Sequence, residues 1–302
     1  MKFRHHLEYA GVRLMIALVG SLSPRSGAWL GARLGDFAFD IIRKRRRLAI
    51  RQLLDAFPDR DDIDYLARLV YRHLGTVAVE HARTLGKTTV TLADRVSYTG
   101  RENLERALEE GNGVVLVTGH FGYWELLGAA VAALGVPISV VAKDQHNPAV
   151  NRLIVRCRER LGMSVVPMAS ATRPILKCLK NNGCVGLLVD QDAGPGGVFV
   201  PFLGRPASTY QGPVVFAIRT GAPIVPCFIV REGPEKHRVF FEDPIHVTGS
   251  GDDAENVAIH TTKYTAVLER YIRTYPEHWF WVHRRWKTRP QSTSLQSAKE
   301  VS

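Results

Sequence analysis

The chain has 302 residues, 45% of them hydrophobic, enough to bury a sizeable core in one large domain or in one domain with an appendage. Its net charge of +11 at pH 7 calls for an acidic partner, and nucleic acid, an anionic membrane and an acidic carrier protein all fit that sign. The four cysteines, Cys157, Cys178, Cys184 and Cys227, form no C-x-x-C pair, which argues against a zinc site and a disulfide framework and suits buried free thiols in a reducing compartment.

In chain order, residues 1–47 differ from the rest. Val12 to Leu22 is apolar but short, and Ala28 to Ile42 is interrupted by Arg33, Asp36 and Asp40. Neither stretch reaches the ~20 apolar residues that cross a bilayer unaided, and no convincing small-residue cleavage site follows. Both read as interfacial helices dipping into one leaflet; a single-pass helix over residues 10–30 is the alternative. Arg43, Lys44, Arg45, Arg46 and Arg47 follow at once, and a basic cluster beside an apolar anchor favours the anionic cytoplasmic leaflet. Residues 1–47 are therefore expected to form a membrane-associated helical segment with a polybasic end.

Residues 48–110 read as helical. Arg51 to Phe57 ends at Pro58, Asp62 to Leu85 is amphipathic, with Leu66, Leu69, Val70, Leu74 and Val77 at helical spacing, and Glu102 to Glu110 is short. After the turn Gly111-Asn112-Gly113, the apolar run Val114 to Val117 suits a strand buried on both faces. Gly119 and Gly122 mark a tight turn, and Tyr123 to Leu134 is helical up to Gly135 and Pro137. His120 thus stands where a buried strand gives way to a helix, the place where open α/β sheets build their sites. Glu125 follows five residues later. On one continuous helix the two would lie about 140° apart, but with His120 in the turn their side chains can meet. A carboxylate on one imidazole nitrogen fixes the tautomer and leaves the other as a base. No G-x-S-x-G elbow supplies a serine nucleophile, so the expected chemistry is a His120–Glu125 dyad activating a substrate hydroxyl.

Strands are predicted over 137–142, 165–167 and 184–189, with helices over 148–161 and 173–181 between them; that alternation indicates an α/β sheet. Asp190-Gln191-Asp192 opens a glycine-rich loop that lacks the Lys-Ser/Thr of a nucleotide P-loop. Further on come a strand over 198–202, a turn over 204–208, a helix over 209–220, strands over 224–231 and 238–241, and an amphipathic helix over 254–275. Backbone N–H groups near Gly119–Gly122, or at the helix start around Gly212, are candidate oxyanion donors. The run Trp279 to Lys287 mixes aromatics with cations, among them Arg284 and Arg285, which suits headgroup depth in a membrane. A nucleic-acid stacking groove uses the same residue types, but no recognised nucleic-acid motif is present. Residues 291–302 are Ser-rich and polar and are expected to be disordered.

Three blocks carry a resemblance that runs along nearly the whole chain in order. They are Thr118-Gly-His-Phe-Gly-Tyr-Trp-Glu125, the stretch from Val189-Asp-Gln-Asp192 through Phe199 to Thr209 and on to Pro226, and Tyr275 to Pro290. Together they resemble the lipid A biosynthesis (lauroyl/myristoyl) acyltransferases, within the lysophospholipid acyltransferase superfamily. One departure is Tyr123, where that family often has Asn. The resemblance implies a mixed β-sheet flanked by helices of the glycerol-phosphate-acyltransferase type, in an acyltransferase domain over residues 48–290. It implies His120 and Glu125 as the catalytic pair and Arg158, Arg160, Asp190, Gln191 and Thr209 as substrate-binding residues. It further implies acyl-acyl carrier protein or acyl-CoA as donor, a membrane lipid A precursor as acceptor, no metal or other cofactor, and the cytoplasmic face of the bacterial inner membrane. A related enzyme acting on a phosphatidylinositol mannoside or a lysophospholipid, and an inactive peripheral-membrane module, are the alternatives.

Overall fold

The computed structural model describes residues 3–86, 92, 95–248 and 254–290; the expected tail over 291–302 lies outside them. The chain opens with α1 (Phe3–Gly20), α2 (Pro24–Ile41), α3 (Arg43–Ala56) and α4 (Ile63–Gly86). No helix among the described residues is long and apolar enough to cross a membrane. α2 and α4 pack almost backbone to backbone. A Cβ on Gly35 would stand 2.2 Å from the Tyr71 carbonyl oxygen, and one on Gly31 would stand 2.5 Å from Thr76 Cα. On α4, Arg83 is buried; it donates to the carbonyls of Val19 and Leu22 at the end of α1 and to Glu235 Oε1 at 2.7 Å. That one guanidinium binds carbonyls at and just beyond the C-terminal end of α1 and ties the N-terminal helices to the body. α3 runs through residue 47 without a break, because Arg43 to Arg47 form its first turns rather than a trailing tract.

The remainder alternates: β1 (Val96–Thr99), α5 (Arg101–Glu109), β2 (Val114–Thr118), α6 (Trp124–Ala133), β3 (Ile138–Ala142), α7 (Pro148–Arg160), β4 (Met163–Pro167), α8 (Thr172–Lys180), β5 (Cys184–Leu188), the hairpin β6 (Val198–Phe202) and β7 (Arg205–Thr209), α9 (Gly212–Thr220), β8 (Ile224–Gly233), β9 (Lys236–Phe241) and α10 (Ala254–Thr274). Among the described residues the main sheet has seven strands in the order β1-β9-β8-β2-β5-β3-β4, parallel throughout except at β8–β9. This is the expected mixed α/β architecture. β2 is central and wholly buried. Val114 and Leu116 join the core made with α5 and α6, while Val115 and Val117 join the opposite core with α8, α9 and α10, the alternation a strand imposes on its faces.

Two local expectations fail. Val96–Thr99 is a strand within a stretch read as helical; it pairs with β9, some 140 residues on, and four residues of propensity do not announce that partner. Residues 205–208, read as part of a turn over 204–208, and Thr209, read as the start of a helix, form the second strand of the β6–β7 hairpin, with the turn itself at Leu203–Gly204.

Candidate active site

β2 and β5 are parallel neighbours with Thr118 opposite Leu188. His120 and Asp190 each lie two residues beyond that pair, so the two strand ends deliver them side by side. Gly122, at φ +58°, then turns the chain into α6, in a place where any Cβ would collide with the Ile229 carbonyl oxygen.

His120 Nδ1 donates to Asp190 Oδ1 at 2.8 Å. The other Asp190 oxygen accepts from the His120 backbone N–H and from Trp279 Nε1, each at 2.8 Å. Asp190 is 3% exposed. Burial alone would raise its carboxyl, but the charge and hydrogen bonds of His120, with Trp279, hold it below the usual carboxylate range. Burial disfavours the His120 imidazolium, yet the Asp190 carboxylate, by charge and by hydrogen bond, and Glu125, by charge, lift its pKa above the ordinary value. With Nδ1 carrying its proton toward Asp190, Nε2 is the basic nitrogen. Gln191 Nε2 approaches it at 3.4 Å, and Trp124 and Phe280 flank the ring at centroid distances of 5.1 and 5.9 Å.

Glu125 is not the hydrogen-bond partner of His120. It sits in the first turn of α6 and takes a two-pronged hydrogen bond from Arg158 of α7, at 2.9 Å from Nε and 2.5 Å from Nη2. Burial would raise the Glu125 carboxyl, but Arg158 outweighs it and holds the pKa down. The planar fork of the guanidinium matches a carboxylate better than an imidazole edge does, so tertiary packing gives Glu125 a different partner from the one its spacing suggested. Glu125 and Arg158 stand beside a narrow apolar cavity of about 60 Å³ running between α6 and the sheet, lined by Leu127, Val131, Ile138, Val140 and Met163.

The other expected residues separate. Arg160 is exposed and donates to the Thr84 carbonyl at the end of α4, away from Glu125. Thr209 is buried, donating to the Ala207 carbonyl and accepting from Arg285 at 2.5 Å. Arg285 is itself only 1% exposed; it donates to the Ser208 carbonyl, and burial pushes its pKa down to about 10. Trp279 and Trp281 are also buried. The aromatic-cationic run is therefore a wedge holding Asp190 rather than a headgroup surface; Arg284 and Lys287 alone of its cations are exposed. In the glycine turn the amides are committed: His120 N–H to Asp190, Phe121 N–H to the Gly119 carbonyl and Gly122 N–H to the His278 carbonyl. They cannot serve as oxyanion donors without breaking those bonds. Arg45 donates to the Val282 carbonyl, and Arg46 folds back on Phe39 and its carbonyl.

The sequence reading missed Trp279 as a hydrogen-bond donor to Asp190 and Gln52 as a clamp. Gln52, buried on α3, donates to the carbonyls of Trp281 and His283 and accepts from Arg285 N–H. A polar residue on the apolar side of an otherwise amphipathic helix was the available signal. Among the described residues, His5, Glu8 and His146 are the His/Glu group close enough to share a metal ion, and they lie between α1 and the start of α7, apart from His120.

Residues 2–288 match the model of a family described as bacterial lipid A biosynthesis acyltransferase. The chain is 27% identical over 270 residues to the lipid A biosynthesis palmitoleoyltransferase of Escherichia coli strain K12, covering 88% of this chain and 86% of that one. It is 29% identical over 267 residues to the lipid A biosynthesis lauroyltransferase of the same organism, with 87% and 85% covered. A phosphatidylinositol mannoside acyltransferase of Mycolicibacterium smegmatis is 29% identical over 217 residues, with 69% and 66% covered. The crystal structure of the 1-acyl-sn-glycerophosphate acyltransferase PlsC from Thermotoga maritima aligns with 89% of this chain and 99% of its own at a TM-score of 0.38 and 14% identity.

Proposed function

The chain belongs to the bacterial lipid A biosynthesis acyltransferase family, an enzyme family of acyl transfer in lipid biosynthesis, and from that membership we propose that it moves a fatty acyl group from acyl-acyl carrier protein to a hydroxyl of a lipid A precursor at the cytoplasmic face of the bacterial inner membrane. The observation that carries the mechanism is the pairing of His120 Nδ1 with the buried Asp190 carboxylate, which frees Nε2 as a base. The acceptor hydroxyl takes the place of Gln191 on Nε2 and gives up its proton there as its oxygen attacks the thioester carbonyl carbon. The tetrahedral intermediate collapses with cleavage of the C–S bond, and the imidazolium returns the proton to the departing thiolate, so an ester and a free thiol result. No metal or other cofactor is needed for this balance.

Glu125 acts through Arg158. The carboxylate engages Nε and Nη2, and Arg158 Nη1, which has no protein hydrogen bond among the described residues, is the donor we assign to the thioester oxyanion. The apolar cavity beside the pair suits the proximal part of the donor chain, with widening needed for the rest. α1 and α2 carry Leu7, Leu14, Leu18, Trp29, Phe37 and Ile41 at 58–64% exposure, and this supports an interfacial, rather than spanning, attachment of the N-terminal segment.

The test is labelled acyl transfer in detergent micelles, from acyl-acyl carrier protein or acyl-CoA to a tetra-acylated, Kdo-bearing lipid A precursor, with wild type beside His120→Ala. Transfer that depends on His120 is expected. A second reading, a phosphatidylinositol mannoside as acceptor, is favoured by the mycobacterial relatives; transfer to that lipid but not to the lipid A precursor would replace the first.

A further inference from the structure

α1 is tied to the body at both ends. Arg83 holds its C-terminal end, and Asn147, in the turn before α7, holds its start. Asn147 is only 1% exposed. Its side-chain oxygen caps α7 by accepting from the Ala149 N–H at 3.0 Å, and its Nδ2 donates to the His5 carbonyl at 2.9 Å and to Glu8 Oε2 at 3.0 Å. Asn151, on the first turn of α7, accepts from the Gln145 N–H and donates to Asp144. The turn over residues 144–147 is thus fixed at several points, and it presents His146 to the first turns of α1.

His5 and Glu8 stand three residues apart on α1 and so share a face. His146 reaches them from the turn: its Nε2 lies 3.2 Å from Glu8 Oε2, and its ring meets that of His5 edge-on, with centroids 5.7 Å apart. One ligand atom from each of the three lies within 4.8 Å of the other two. In a tetrahedral site with bonds of about 2.0–2.2 Å, ligand atoms stand about 3.4 Å apart. The Glu8–His146 edge is already at that spacing, and a side-chain rotation that moves a ligand atom by about 1.4 Å closes the widest gap. Apart from that Glu8 contact, the ring nitrogens of His5 and His146 engage no polar group among the described residues. Arg4 competes for Glu8, with Nε 2.8 Å from Oε1, but its side chain is 83% exposed, so the pair is weakly held and leaves Oε2 to His146. Elsewhere His246 and Glu110 make an ordinary surface pair at 2.8 Å with no second histidine. Here a buried asparagine sets the carboxylate beside two imidazoles, which is what an outer-shell partner does at a metal centre.

We infer that His5, Glu8 and His146 form a binding site for a zinc-class divalent cation, which clamps the start of α1 to the turn before α7. Two imidazoles and one carboxylate suit Zn²⁺, and after it Cu²⁺ or Ni²⁺, rather than the oxygen-seeking Mg²⁺ or Ca²⁺. Water completes the coordination on the open side, where the His146 side chain is 71% exposed. The site is structural: acyl transfer needs no metal, and the cluster lies apart from His120. What the cation fixes is α1, whose Ile16 and Val19 pack with Val79 and Ala82 of α4 and with Leu153 of α7, the helix that also carries Arg158.

The test uses the full chain in detergent micelles, without a polyhistidine tag, stripped with a chelator and titrated with ZnCl₂ by calorimetry. One zinc per chain with a micromolar Kd is expected. Loss of an outer-shell partner alone costs about 10–100-fold at metal sites, so losing a ligand in His146→Ala or Glu8→Gln should weaken binding by at least about 100-fold. His6→Ala, next to the cluster on α1, and His246→Ala, in the ordinary pair with Glu110, should bind as wild type does. Arg4→Gln should bind about threefold tighter, since no guanidinium then competes for Glu8. The clamp is read separately, by trypsin cleavage after exposed Arg13, which requires α1 to open. Zinc at a hundred times Kd should slow that cleavage by up to about 100-fold in wild type and leave it unchanged in His146→Ala. Stripped His146→Ala should melt within about 2 °C of stripped wild type, because the side chain lost is on the surface. Zinc that binds His146→Ala as tightly as wild type, or fails to bind wild type at submillimolar concentration, would overturn the site; binding without protection of α1 would overturn the clamp. Both readouts are independent of acyl transfer and hold for any acceptor lipid.

Discussion

Replacing Asp190 by Asn changes one atom's chemistry at the centre of the site. The carboxylate accepts three hydrogen bonds: Oδ2 takes the His120 N–H and Trp279 Nε1, and Oδ1 takes His120 Nδ1. An amide has one oxygen, and two fixed donors claim it, so the NH₂ must face His120. There it donates to Nδ1, which forces the imidazole proton onto Nε2, the nitrogen that has to act as base. The wrong tautomer removes a general-base contribution typically worth 10²–10⁴ in rate, and a carboxylate-to-amide change at a comparable His–Asp pair in serine proteases costs about 10⁴. We therefore expect kcat to fall about 10³-fold. Stability should change by only about 1–2 kcal/mol, because two of the three donors keep an acceptor. The pH profile offers a second readout. The wild-type rate should rise as His120 loses its proton, at a pH above the usual imidazole value, and any residual activity of Asp190→Asn should titrate lower. The assay is single-turnover acyl transfer from pH 5 to 9 with a thermal melt on the same samples. A folded Asp190→Asn enzyme keeping more than a tenth of the wild-type rate would refute the relay.

Glu125→Gln should cut kcat about 100-fold and also lower stability by about 3 kcal/mol, since it leaves Arg158 underpaired in a largely buried place; Glu125→Gln/Arg158→Gln should regain the melting temperature but not the rate, and recovery of both would show that the pair is structural only. Serine at Leu14, Leu18, Trp29 and Phe37 removes four exposed apolar side chains worth about 1–2 kcal/mol each at an interface; flotation with vesicles should show at least a 100-fold loss of binding with the fold intact, and unchanged flotation would place the attachment elsewhere. Glu80 joins α4 to Arg231 and to His237, the latter at 3.2 Å. Burial raises its carboxyl, but those two partners more than offset that and bring it to about 2. A depressed folded-state value means the stabilisation, on the order of 3 kcal/mol, is fully present above about pH 4.5 and is lost as pH falls toward 2. In acid-unfolding titrations Glu80→Gln should lack that part of the pH dependence, and a wild-type slope in the variant would contradict the assignment.

The strand–turn–helix around His120 could be read directly from the sequence, because an unbroken apolar run, two glycines and a helical period are local signals that packing reinforced. The same holds for the order of strands and helices from residue 113 to 233 apart from β7, and for the exposed apolar faces of α1 and α2. Tertiary structure alone decided which carboxylate meets which cation. Glu125 is five residues from His120 but is turned by α6 toward Arg158, while Asp190, 70 residues away, is brought to His120 by the parallel register of β2 and β5. Likewise, Trp279, Trp281 and Arg285 carry the composition of a membrane rim, and only the fold shows them buried behind Asp190. Local periodicity fixes the face and kind of each element; the partner of a charge is fixed by which strand ends and helix faces the closed sheet sets within hydrogen-bonding distance of one another.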